Sequence, residues 1–120
     1  MNFFRCVLLG AALVLAHGWA QAGKLVSPSY DVTIQTLCPE GYVSCDRLVL
    51  RGVHKSTGRR LHLKGRSMHS MCADGVTPCR YLGDQFEGRS YVYFFSSEGW
   101  LLVKDSKGRL LLREMYREVN

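Results

Sequence analysis

The chain has 120 residues, with 16 Lys plus Arg against 10 Asp plus Glu and a formal net charge of +6. Apolar residues make up 47 % of it and charged residues 22 %. That balance excludes a disordered or collagen-like chain, and the length excludes a large multidomain enzyme.

Met1 to Arg5 make a short basic start, Cys6 to Ala16 an apolar run, and Ala20-Gln21-Ala22 places small residues where a signal peptidase reads. These three parts in this order predict a secretory signal peptide over residues 1–22, cut near Ala22. The run is too short to span a bilayer, which needs roughly 20 apolar residues. Removing it leaves a single domain of 98 residues, 23–120, and with Arg5 gone a net charge of +5. The expected product is periplasmic or secreted, with no transmembrane segment.

Residues 23–29 read as a loose lead-in. Tyr30, Val32 and Ile34 then alternate with Asp31, Thr33 and Gln35, the period of a half-buried strand. Leu48 and Leu50 alternate with Arg47, Val49 and Arg51, and Leu61 and Leu63 alternate with Arg60, His62 and Lys64 on the return. With a turn at Gly58 between them, residues 46–66 predict a β-hairpin. Shorter strands follow at 80–86, 91–95, 100–104 and 109–114, separated by turns, and the tail tolerates strand or helical turn. No helical apolar stripe occurs after the leader. The predicted class is mostly β: about six or seven antiparallel strands forming a small sandwich or partly open barrel.

Four cysteines remain after the leader: Cys38, Cys45, Cys72 and Cys79. CPEGYVSC and CADGVTPC share the pattern C-x2-G-x3-C. An even count in a small exported domain predicts disulfides rather than a zinc site, whose ligand pairs usually sit closer together. Three connectivities are open. The local pairs Cys38–Cys45 and Cys72–Cys79 are favoured, each worth roughly 2.5 kcal/mol on loop entropy.

Residues 46–66 hold Arg47, Arg51, Lys55, Arg59, Arg60, Lys64 and Arg66 against the single acid Asp46. If the leucines pack inward, the opposite face collects these cations. Like charges across strands repel, so an acidic partner would relieve the cost. The plainer reading is a solvated face that keeps the protein soluble and blunts a sheet edge. Export argues against nucleic acid as the partner. Tyr91-Val92-Tyr93-Phe94-Phe95 is apolar on both faces, so Tyr93 and Trp100 join Arg47, Arg51, Arg60, Lys64 and Arg66 as candidate partner-binding residues.

Catalytic signatures are missing: the sequence has no G-x-S-x-G elbow and no H-E-x-x-H. His54, His62 and His69 are the histidines after the leader, and the first two sit on the basic hairpin. Met68-His69-Ser70-Met71 offers soft ligands for cuprous copper, against the plain reading of Met as a gap-filler. The chain is expected to be no enzyme and to hold no cofactor or metal.

A leader, about a hundred further residues, two C-x2-G-x3-C loops and a β-meander together resemble small bacterial envelope proteins. Two families share this layout: periplasmic immunity proteins against type VI secretion effectors, phospholipases among them, and periplasmic lysozyme inhibitors. The inhibitors show a Ser-Gly-x-x-Tyr segment. This chain has Ser97-Glu98-Gly99-Trp100 in a comparable place and departs from that pattern. Lysozymes are also commonly basic, which opposes a basic inhibitor. The resemblance therefore implies a non-enzymatic immunity protein that sterically blocks a toxic enzyme. A hydrolase inhibitor, or a structural or lipid-associated envelope protein, is the alternative.

Overall fold

The computed structural model describes residues 22–119, so residues 1–21 of the expected leader lie outside it. Nine strands form one antiparallel sheet: β1 (Ala22–Val26), β2 (Tyr30–Thr36), β3 (Leu48–His54), β4 (Arg60–Met71), β5 (Pro78–Glu87), β6 (Tyr91–Ser96), β7 (Trp100–Asp105), β8 (Leu110–Met115) and β9 (Arg117–Val119). Each pairs with its chain neighbour from β1 to β8, and β9 returns to pair with β1. No helix among the described residues is long and apolar enough to cross a membrane.

The count of six or seven strands needs correction, because the lead-in and the tail both become strands. Neither shows a pattern of its own. They pair with one another, Leu25 opposite Glu118 and Val26 opposite Arg117. Only Tyr116 separates β8 from β9. The last stretch of chain is thus nearly one strand that leaves β7 and takes β1 as its neighbour. This switch almost closes the sheet, which leaves few open edges.

Alternation fills the inside. Leu25, Val32, Leu48, Leu50, Phe86, Tyr93, Phe95, Leu101 and Val103 form one buried cluster, with Leu50, Phe86 and Leu101 fully enclosed. Gly65 stands between Leu48 and Phe86 across the strands. A Cβ there would strike the Phe86 ring and the Gln85 carbonyl. The Tyr116 hydroxyl donates to the Ser96 carbonyl, and its ring meets Phe95 edge-on at 5.3 Å.

A carboxylate clasps the seam. Glu114 on β8 accepts from the Ser29 amide and the Ser29 hydroxyl, both at 2.8 Å, in the turn between β1 and β2. Burial raises its pKa, but the hydroxyls of Ser27 and Ser29 and the Ser29 amide outweigh that and hold it below 4.5. Its contribution is therefore present above about pH 4.5 and fades as pH falls through the depressed folded value. Glu114→Gln is expected to cost about 1–2 kcal/mol at neutral pH. The gap to the parent should narrow in acid, as followed by urea unfolding across pH.

Both disulfides take the local pairing, Cys38–Cys45 with Cα atoms 5.9 Å apart and Cys72–Cys79 with Cα atoms 5.1 Å apart. In a meander, successive connections alternate between the two ends of the sheet. The 37–47 loop, the 72–77 loop and the 97–99 turn therefore share one end. The Ser67 amide donates to the Cys45 carbonyl at 2.7 Å, which ties the first loop to β4. The turns at 27–29, 55–59, 88–90 and 106–109 share the other end.

Candidate binding face

Because Leu48, Leu50, Leu61 and Leu63 turn inward, the intervening residues of β3 and β4 turn outward. Arg51, Arg60, His62, Lys64 and Arg66 are all exposed there. Register brings them together: Arg51 lies opposite His62, Val49 opposite Lys64 and Val53 opposite Arg60. The row on β4 continues at every second residue up to Arg66. Its neighbours on the next strand are Glu87, opposite Lys64, and Gln85, opposite Arg66.

Few of these charges are neutralised. Among the described residues the ion pairs are Lys55–Asp31 at 3.7 Å and Arg109–Asp105 at 2.7 Å. Arg51 donates instead to the neutral Gln35 Oε1 at 3.1 Å. Arg47 lies just before β3 and donates to the Leu37 carbonyl at 3.1 Å. Four of the expected contact residues, Arg51, Arg60, Lys64 and Arg66, thus lie on one continuous strip, with Arg47 at its margin.

The two aromatic candidates fall elsewhere. Tyr93 is only 3 % exposed and packs edge-on against Tyr30 at 5.8 Å, so it belongs to the core and not to a surface. Burial pushes its hydroxyl pKa up to about 12. The register that pairs Tyr93 with Phe86 turns Phe94 outward in its place. Trp100 does face out, under the Arg113 guanidinium at 4.2 Å. It lines a groove of about 360 Å³ with Leu82, Phe94 and Leu102. That groove lies across β5 to β8 and is separated from the cationic strip by Gln85 and Glu87.

One polar group near the disulfide end escaped the sequence reading. The Tyr81 hydroxyl donates to Asp84 Oδ1 at 2.7 Å, and the His69 ring lies 5.5 Å from the Tyr81 ring. Burial raises the Asp84 pKa, and Tyr81 and His69 pull it back. Counting back in twos from buried Phe86 reaches Asp84, so its inward position was readable. Tyr81 was not, because Met68 pairs with Gly83 and His69 with Tyr81, leaving Leu82 as an extra residue.

Met68, His69 and Met71 line a cleft of about 510 Å³ with Tyr42, Arg66 and Pro78. No group of three or more His, Cys, Asp or Glu side chains placed to hold a metal ion occurs among the described residues. Comparison with protein-family models, with curated proteins and with solved structures finds no match for this chain.

Proposed function

We propose that this protein is an exported, non-enzymatic binding protein that lays its β3–β4 face on an acidic protein surface. Most concretely, it is a periplasmic immunity protein that covers and blocks a toxic effector enzyme. The observation that carries this reading is the strip Arg51, Arg60, Lys64 and Arg66, exposed on one face and outside both ion pairs among the described residues. Holding like charges side by side costs stability, and a carboxylate-rich partner turns that cost into attraction. Two short-loop disulfides suit an oxidising compartment. A nearly closed sheet orders little on binding, which favours tight association.

A photo-crosslinking residue placed at position 60 or 64 in cells that export the protein tests this. Crosslinks to one protein should form at both positions and fail at Val92, which lies beyond β5 on the outer surface. Absence of crosslinks at 60 and 64, with strong ones at Val92, would move the contact off the proposed face.

A further inference from the structure

The cationic strip holds one side chain whose charge is not fixed. His62 stands in the middle of it, exposed on β4, two residues from Arg60 on one side and two from Lys64 on the other. Side chains two apart on a strand share a face and lie roughly 7 Å from one another, so both cations are its neighbours. Across the ladder, Arg51 is directly opposite.

The charges that face the ring from the other elements are mostly of one sign. On β3, Arg51 donates to the neutral Gln35, so no carboxylate offsets it there. Behind it on β2, Thr33 lies opposite Arg51, and Asp31 is taken by Lys55. On β5, Glu87 lies opposite Lys64. The turn after β5 passes beside Leu63 at Gly88 and carries Arg89. Arg51, Arg60, Lys64 and Arg89 thus stand against one carboxylate, Glu87. Neither ion pair among the described residues includes His62.

Histidine is the side chain whose charge ordinarily changes between about pH 5 and 8. In the free protein, a proton on His62 adds one more positive charge to a row of like charges. Against a carboxylate-rich surface the same proton meets opposite charge. The bound state therefore holds that proton better than the free state does. By reciprocity, a more abundant proton strengthens binding.

We infer that His62 makes recognition by the strip proton-linked, so that it grips its acidic protein partner more tightly as pH falls from 8 to 6. This rests on the strip being the contact for an acidic partner, as proposed above, and adds the regulation of that contact. The other two histidines after the leader lie outside the strip. His54 ends β3 against Tyr30 and Thr57, and His69 lies beside Tyr81. One exposed pair of charges is worth little, so the effect is a tuning of affinity and not an on-off switch.

The test uses poly-L-aspartate as the acidic probe, because its carboxylates stay ionised between pH 6 and 8. Its binding to the full chain, purified as cells process it, is followed at constant low salt. The parent should bind about threefold more tightly at pH 6 than at pH 8. His62→Gln should match the parent at pH 8 and lose the gain at pH 6. His62→Lys should bind at pH 8 as tightly as the parent does at pH 6. The site is exposed, so thermal unfolding of both variants should match the parent. In an NMR titration, the midpoint of the His62 ring signals should move to higher pH when the probe is added. A parent that binds equally at both pH values overturns the inference and leaves the strip standing. So does a His62→Gln variant that keeps the whole gain. A parent that binds the probe at neither pH overturns the strip as an acidic-partner contact, and the proton linkage with it.

Discussion

Phe86→Ala is expected to lower the free energy of unfolding by about 3–5 kcal/mol, the usual cost of emptying an aromatic site in a packed core. The ring is fully enclosed, lies across Gly65 and meets Phe95 edge-on at 6.1 Å. The Gly65 backbone and the Phe95 ring beside it cannot move far into the space the ring would leave. Domains of this kind hold only about 5–15 kcal/mol in all, so much of the molecule's margin goes with one side chain. Phe94→Ala, one residue along β6 from buried Phe95 and turned outward, should cost less than about 1.5 kcal/mol. Urea unfolding of the two variants side by side measures the difference. Equal losses would mean that the facing of β6 is wrong.

The largest functional effect is expected from the cationic strip. Arg51→Glu, Arg60→Glu and Arg66→Glu together with Lys64→Gln should slow association with an acidic partner by about a hundredfold. Lys64 is neutralised rather than reversed because Glu87 lies opposite it, and a second carboxylate there would add repulsion within the sheet. All four side chains are exposed, so each change should alter stability by no more than about 0.5 kcal/mol. Association measured on the crosslinked partner, once purified, checks the first part, and thermal unfolding checks the second. A partner that binds the quadruple variant at the parent's rate would exclude the strip from the contact.

The outward strip was legible because in residues 47–51 and 60–64 leucine holds every second position, with Arg47, Arg51, Arg60 and Lys64 among the residues between. Burial of one set forces exposure of the other. The local disulfides were legible from the two matching loops. Tyr91 to Phe95 was not: every position is apolar, so period two cannot say whether Tyr93 or Phe94 turns inward. The pairing of Tyr93 with Phe86 decides that, and it is a contact between strands. Closure was equally hidden. β1 and β9 are short, and their pairing joins Lys24 to Val119 across almost the whole chain. Val43 and Val76 are exposed because they sit within the two C-x2-G-x3-C loops, outside any alternating run, so their placement was legible too.

The reading of the strip as a steering surface is tested most directly by the salt dependence of the association rate between this protein and its crosslinked partner. The parent's rate should fall steeply as ionic strength rises, while the quadruple variant's rate should be low and nearly flat. A parent rate that does not respond to salt, or two parallel slopes, would contradict electrostatic recognition through β3 and β4.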